Sequence, residues 1–129
     1  MSGKSKGSRT ERELLHMFWD TKYYCLRVAG SGSMPLPCPD LLAGKNKRAL
    51  AVECKSGKAT RYISKEQVRE LVQFAKGFGA EPWVAIRFDG MEWRFLQPKQ
   101  LKGKTNKHYA LTKDLAFTKG ISFLKLIKN

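Results

Sequence analysis

Apolar residues at helical spacing predict a first helix over residues 9–20. Leu14, Leu15 and Phe18 fall on one face of that helix. Glu11 lies three, four and seven residues before them and therefore shares their face. An acid at this position has an ordinary explanation, because a negative charge in the first turn stabilises the positive end of the helix dipole. The alternative is that this end of the helix borders a charged site.

A second helix is predicted from residue 64 to about residue 78. The segment SKEQ at residues 64–67 has the form of a capping box, and Gly79 stands where a helix C-cap is expected. Phe74 and Phe78 lie roughly 80 to 100° around the helix from the centre of its apolar stripe, so the apolar arc is wider than one core face needs. The stripe itself consists of Val68, Leu71, Val72 and Ala75.

Short apolar runs predict five strands, at residues 23–29, 40–43, 48–55, 83–88 and 91–96. The third strand reads RALAVECK. Because side chains alternate along a strand, Glu53 and Lys55 share one face. Leu50, Val52 and Cys54 take the other face, which we expect to be buried.

Turn residues separate these elements. We predict a loop at residues 30–37 and a turn at residues 44–47. The Asp-Gly pair at 89–90 predicts a hairpin connection. The order α-β-β-β-α-β-β contains no repeat and predicts an α/β protein with one mixed five-stranded sheet flanked by helices. The polar, basic residues 1–8 are predicted to be a flexible arm that precedes a single domain over residues 9–129.

Composition and charge indicate the kind of partner. The chain has 129 residues and a formal net charge of +14, from 25 Lys and Arg against 11 Asp and Glu. Its length allows one core, and its hydrophobic fraction of 42% excludes a disordered basic tail. No apolar run approaches the ~18 residues of a membrane span, and residues 1–12 lack the hydrophobic segment expected of a signal peptide. The three cysteines form no paired framework. These features predict a cytoplasmic protein that binds an acidic polymer, with nucleic acid the leading candidate.

The most informative group of residues is Pro39-Asp40 followed by Glu53-Cys54-Lys55. Two carboxylates on neighbouring strands can share a hard divalent cation through oxygen ligands. The adjacent lysine can hold an attacking water or stabilise charge that develops on a phosphate. This spelling matches the PD-(D/E)xK motif of nucleases, and its parts fall on two strands as the motif requires.

A structural role for the same residues is the alternative. Glu53 and Lys55 would then form a solvated ion pair at a strand edge, worth ~0.2–1 kcal/mol, with Asp40 as a turn residue. The separate acid at Glu11, the +14 charge, and the position of Asp40 at the start of an apolar strand favour the catalytic interpretation.

Other motifs have structural explanations. His16 and His108 lack neighbouring ligands at zinc spacing, so each is predicted to be a surface histidine. The GSGS run at residues 30–33 could present N–H groups to a phosphate but is equally a plain loop. The lysines of residues 99–107 form a basic loop, and a short apolar element follows at 121–127. Four aromatic residues of the hairpin are assigned to packing: Trp83, Phe88, Trp93 and Phe95.

Five separated blocks together resemble the archaeal Holliday junction resolvases of the Hjc type. The blocks are KGSRTEREL at residues 6–14, RVAGSGS at 27–33, PDLLA at 39–43, VECK at 52–55, and the helix that carries Phe74 and Phe78. The resemblance covers roughly residues 4–97. Blocks in this order are more specific than the PD-(D/E)xK spelling alone.

The resemblance implies a type II restriction endonuclease-like fold and a homodimer. Such proteins nick two opposing strands of a four-way DNA junction with Mg²⁺, for which Mn²⁺ is a substitute, during recombination and repair. A twofold dimer supplies two sites matched to a roughly twofold substrate. No docking motif for a recombination or clamp protein is evident.

The resemblance also implies roles for individual residues of this chain. The implied metal ligands are Glu11, Asp40 and Glu53, with the Cys54 backbone carbonyl as a further candidate. The implied catalytic set comprises Glu11, Arg27, Ser31, Asp40, Glu53 and Lys55. The implied DNA-contacting residues are Lys4, Lys6, Arg9, Arg12, Arg27 and Ser31, and the implied dimer interface contains Phe74 and Phe78.

Two other functions remain open at this point. The first is a nuclease of the same fold that acts on other DNA, such as duplex ends or flaps. The second is a non-catalytic junction-binding module, against which the intact acids and Lys55 argue.

Overall fold

The computed structural model describes residues 3–28, 30 and 35–128, with side chains from residue 7 onward. The helices are α1 (Gly3–Asp20), α2 (Lys65–Phe78), α3 (Lys113–Thr118) and α4 (Phe123–Lys128), and a short 3₁₀ helix spans Pro98–Gln100. The strands are β1 (Tyr24–Arg27), β2 (Leu41–Lys45), β3 (Arg48–Gly57), β4 (Arg61–Ser64), β5 (Glu81–Phe88), β6 (Arg94–Leu96) and β7 (His108–Leu111).

Five strands form one mixed sheet in the order β1-β2-β3-β5-β6. Strands β3 and β5 are parallel, and the other neighbouring pairs are antiparallel. The remaining strands, β4 and β7, pair with each other as a separate antiparallel sheet. The predicted α/β class with a mixed five-stranded sheet flanked by helices is confirmed.

Each face of the sheet is covered by its own pair of helices. On one face, Leu14 and Phe18 of α1 pack with Phe123 and Leu126 of α4. On the other face, a second core is formed by residues of α2 and α3, namely Val68, Leu71, Ala75, Leu115 and Ala116. Strand β3 supplies both cores alternately, because successive side chains point to opposite faces. As predicted, its Leu50, Val52 and Cys54 lie on one side.

The register of β3 leaves one part of that strand extending past its neighbour. Strand β2 pairs with β3 from Lys45 opposite Arg48 to Leu41 opposite Val52. Strand β3 then continues to Gly57 in pairing with β5. The segment of β3 that carries the acid-x-Lys motif therefore lies beyond the end of β2 and pairs with β5.

Helix α1 begins at Gly3, six residues before the predicted start at Arg9. Residues 3–8 are therefore helical, and the prediction of a separate arm was wrong for them. The segment GKSKGS has no apolar periodicity, and its two glycines have low helix propensity, so the sequence pattern carried no signal there.

Helix α2 has the predicted boundaries. Ser64 is its N-cap: the Gln67 N–H donates to the Ser64 hydroxyl at 2.9 Å, and the Ser64 N–H donates to Gln67 Oε1 at 3.3 Å. Gly79 ends the helix in the left-handed conformation, with φ of 89°. The capping box and the glycine C-cap are both confirmed.

Several predicted boundaries need correction. The turn between β2 and β3 is residues 46–47 rather than 44–47, and the strand predicted at 23–29 is shorter. Strands β4 and β7 and helix α3 are additional to the predicted elements, and the apolar element at 121–127 is helix α4. Short strands that pair only with distant residues, as β4 and β7 do, show no strong local pattern.

Side-chain exposure agrees with the predictions for the two histidines and the four hairpin aromatics. His16 and His108 are exposed, as expected of surface histidines. No helix within residues 3–28 and 35–128 has the length and hydropathy of a membrane-spanning segment. The four hairpin aromatics assigned to packing are all buried: Trp83, Phe88, Trp93 and Phe95.

Candidate active site

Asp40 is held at the start of β2 by backbone on both sides. Its N–H donates to the Val52 carbonyl at 3.1 Å, and its own carbonyl accepts from Val28 at 2.9 Å. The Cys54 N–H donates to Asp40 Oδ2 at 2.8 Å, which fixes the carboxylate against β3. Asp40 is buried, so it is not a solvated turn residue.

Glu53 lies on the central strand β3 and interacts directly with Asp40. Burial and the negative charge of Asp40 raise the pKa of Glu53 to about 8, and the positive charge of Lys55 opposes this effect. A hydrogen bond between the two carboxyl groups contributes in the same direction as burial. This environment differs from the solvated strand-edge ion pair of the structural alternative, because Glu53 is half-buried and its first charged neighbour is the Asp40 carboxylate.

Glu11 reaches the same region from α1. Because the helix begins at Gly3, Glu11 lies beyond the first two turns, and stabilisation of the helix N-terminus does not explain its position. Burial, followed by the charge of Asp40, raises the pKa of Glu11, while its ion pair with Arg27 lowers it. Arg27 Nε donates to Glu11 Oε1 at 2.8 Å.

Arg27 connects β1 to helix α1. Besides its bond to Glu11, its Nη2 donates to the Ser8 hydroxyl at 2.9 Å. The prediction that Arg27 belongs to the site is consistent with this position. Among the predicted DNA-contacting residues, Arg9 and Arg12 are exposed on α1. Ser31 and the side chains of Lys4 and Lys6 lie outside the described residues.

The acids are chemically suited to a divalent cation, although they are not assembled as a complete ligand set. The carboxyl groups of Asp40 and Glu53 lie next to each other, and their oxygens are ligands that a hard cation prefers. A cation between them would relieve the repulsion that raises the pKa of Glu53. Glu11 is instead bonded to Arg27. Across residues 3–28, 30 and 35–128, no three side chains of His, Cys, Asp or Glu converge as metal ligands.

Cys54 contributes through its backbone rather than its thiol. The side chain packs against the core beneath α1, and burial raises the pKa of the thiol well above its usual range. Its N–H already positions Asp40. A role for its backbone carbonyl as a metal ligand stays a prediction.

Two buried hydroxyl groups join α1 to β3 beside the acids and were not predicted. Thr10 and Ser56 form a hydrogen bond of 3.1 Å. Thr10 precedes Glu11 in the helix, and Ser56 follows Lys55 in the strand. This bond therefore fixes the helix and the strand relative to each other at the site, and only the packing of α1 on the sheet reveals it.

A small pocket of about 200 Å³ opens at the same place. One wall is formed by α1, including Glu11, and another by the end of β3, including Lys55. Arg61 of β4 also lines it, and nothing in the sequence pattern indicated that this residue belongs near the acids. A larger cleft of about 720 Å³ lies at the opposite end of β3, around Arg48, away from the carboxylates.

These features define a class of protein. The arrangement matches the PD-(D/E)xK nuclease pattern, in which an acid precedes one strand, an acid-x-lysine lies on its neighbour and a third acid lies on a flanking helix. A family model described as archaeal Holliday junction resolvase (Hjc) matches residues 2–129. The chain belongs to this family.

Relatives support the same assignment. The chain is 45% identical over 109 residues to the crossover junction endodeoxyribonuclease Hjc of Archaeoglobus fulgidus, a match that covers 84% of this chain and 79% of the relative. It is 36% identical to the Methanocaldococcus jannaschii Hjc, covering 82% and 75% of the two chains. The solved structure of A. fulgidus Hjc, a Holliday junction resolvase, superimposes with a TM-score of 0.83 at 35% identity, over 93% of this chain and 97% of that chain.

Proposed function

We propose that this protein is a homodimeric endonuclease that resolves four-way DNA junctions by metal-dependent phosphodiester hydrolysis. The observation that carries the proposal is the Asp40–Glu53 carboxyl pair beside Lys55, in a member of the Hjc family. Relatives of this chain are named crossover junction endodeoxyribonucleases, which agrees with the proposed substrate.

The carboxyl pair is the proposed binding site for Mg²⁺, or Mn²⁺ as its substitute. Asp40 and Glu53 would hold the ion, with Glu11 as a third ligand and the Cys54 carbonyl as a further one. A bound divalent cation neutralises the scissile phosphate and lowers the pKa of a coordinated water. Asp40 keeps its orientation because the Cys54 N–H donates to one of its oxygens.

Lys55 and Arg27 have separate proposed tasks. The Lys55 ammonium group lies next to the carboxyl pair, where it can orient the attacking water and stabilise charge on the phosphate. Arg27 holds Glu11 and Ser8, so it sets the position of the third acid. The bond to Arg27 uses Oε1 of Glu11, so the carboxylate has a second oxygen that could bind the ion.

The dimer rests on an exposed aromatic pair. Phe74 and Phe78 of α2 stack with ring centroids 5.4 Å apart, and Phe78 is 58% exposed. Phe74 is half-buried and packs against the second core, so Phe78 is the member of the pair with surface to bury against a partner.

The decisive experiment is cleavage of a labelled, immobile four-way junction with excess linear duplex as competitor. Wild-type protein should nick paired opposing strands in Mg²⁺ or Mn²⁺ but not in EDTA. Asp40→Asn should reduce cleavage by about 100-fold or more, because it removes a metal ligand, while junction binding stays nearly intact. Gel mobility shift in EDTA measures the binding of both proteins.

Each rival predicts a different result. Cleavage that linear duplex suppresses would indicate a nuclease for other DNA. Tight binding without cleavage in either metal would indicate a junction-binding module. Loss of binding together with cleavage in Asp40→Asn would make this acid structural.

A further inference from the structure

Arg61 lines the 200 Å³ pocket that also contains Lys55. It lies on β4, which a turn at residues 58–60 connects to the end of β3. Its exposed guanidinium donates from Nη1 to the Ser56 carbonyl. It forms no ion pair with any residue that the structure describes. A guanidinium has five N–H donors, so this contact leaves donors for a ligand.

Gly57 provides the space in which the Arg61 side chain lies. A Cβ at position 57 would stand 3.1 Å from Arg61 Cδ and 3.5 Å from its Nη1. Gly57 pairs with Phe88 in regular strand structure and is not among the glycines with positive φ. Backbone conformation therefore does not require glycine here, whereas a side chain at this position would require Arg61 to shift by a few tenths of an ångström.

The charges around the pocket favour an anion. Lys55 and Arg61 both line it. Among the described residues, the one carboxylate that lines it is Glu11, which is already paired with Arg27 at 2.8 Å. The pocket lies directly beside the residues proposed to cleave a phosphodiester. Guanidinium groups bind phosphate oxygens through two parallel hydrogen bonds.

We propose that Arg61 binds the DNA phosphate adjacent to the scissile phosphate on the cleaved strand, an inference that rests on the proposed nuclease function. The bond to Ser56 and the space at Gly57 hold the guanidinium against the strand that carries Lys55. Arg61 thereby fixes the position of the cleaved strand, so that one phosphodiester is presented to Lys55 and the acids.

The test combines protein variants with single neutral phosphates in the substrate. Four-way junctions carry one methylphosphonate at a time at the positions flanking the cut, and single-turnover cleavage is measured with saturating full-length protein. The wild-type cleavage rate should fall about 10-fold when the methylphosphonate occupies one particular flanking position. Arg61→Gln should cut the unmodified junction about 10-fold more slowly than wild type does. A methylphosphonate at the same flanking position should not slow this variant further. Arg69→Gln, an equal charge change at another exposed arginine, should behave as wild type.

Gly57→Ala provides a second variant that keeps the arginine. Its methyl group requires the Arg61 side chain to shift by a few tenths of an ångström, so its cleavage rate should fall between those of wild type and Arg61→Gln. The double variant should be no slower than Arg61→Gln alone, because both changes act on one contact. Additive losses would overturn the assignment.

Other outcomes separate the two proposals. If the methylphosphonate slows Arg61→Gln as much as it slows wild type, Arg61 does not bind that phosphate. The same conclusion follows if the substitution lowers only thermal stability. In both cases the nuclease function stands. If wild type fails to cut the unmodified junction in either metal, the proposed function fails, and the assignment of Arg61 fails with it.

Discussion

Glu53 illustrates how surroundings set the charge of a single carboxyl group. Burial and the nearby Asp40 raise its pKa to about 8, so without a cation it is mostly protonated at neutral pH. A protonated carboxyl can donate a hydrogen bond to its partner, whereas two adjacent carboxylates repel. Metal binding at this pair should therefore release a proton.

The raised pKa predicts a specific dependence of metal-free stability on pH. Since the folded-state pKa of Glu53 exceeds its ordinary value of 4.5, its contribution to stability is fully present below pH 4.5 and is lost as the pH rises to about 8. Thermal unfolding in EDTA should therefore show Glu53→Gln gaining stability relative to wild type as the pH increases from 5 to 9. Curves that stay parallel across this range would contradict the assigned pKa.

At the scale of elements, β3 and α1 bring the site residues together. Strand β3 extends past β2, and the Thr10–Ser56 hydrogen bond of 3.1 Å fastens α1 to the projecting segment. At the other end of β3, Arg48 donates to Glu81 at 2.7 Å and to the Leu126 carbonyl at 2.6 Å. These two contacts join the start of β3 to β5 and to α4, far from the acids.

Helix α2 provides a test of local structure. Ser64→Ala removes the side-chain acceptor of the capping box, and we expect the free energy of unfolding to fall by about 0.5–2 kcal/mol. Ser64→Asp is the matched control, because aspartate also caps helices and should preserve stability. Urea denaturation measures both variants, and an unchanged midpoint in Ser64→Ala would show that the cap is dispensable.

At the scale of the whole molecule, charge and an exposed apolar surface indicate its partners. The net charge of +14 favours association with DNA phosphates and makes binding strongly dependent on salt. Phe78 interrupts this polar surface with a large exposed ring. A twofold dimer formed through α2 would bury the ring and place two sites on one junction.

Phe78→Ser should weaken the dimer by about 10-fold or more, since a buried phenylalanine side chain contributes about 1.5–3 kcal/mol. Leu124→Ser is the control, because Leu124 is exposed to a similar extent, 62% against 58%, and lies on α4. Sedimentation equilibrium over a range of concentrations reports the dissociation constant. Equal dissociation constants for the two variants would remove Phe78 from the interface.

The sequence by itself determined the features that depend on neighbouring residues. Helix α2 follows from its caps and apolar period, and the faces of β3 follow from strict alternation. The PD-(D/E)xK spelling also predicted that Asp40, Glu53 and Lys55 lie close together, because the motif spans adjacent strands joined by a short turn.

Only the tertiary structure decided how distant groups meet. The bond between Arg27 and Glu11, which engages the third acid, links β1 to α1. Strand β4 exists through pairing with β7 far along the chain, and it carries Arg61 to the pocket. The residues in these contacts are far apart in the sequence, so no local hydrophobic pattern predicts that they meet. The contacts form only when the helices pack on the sheet.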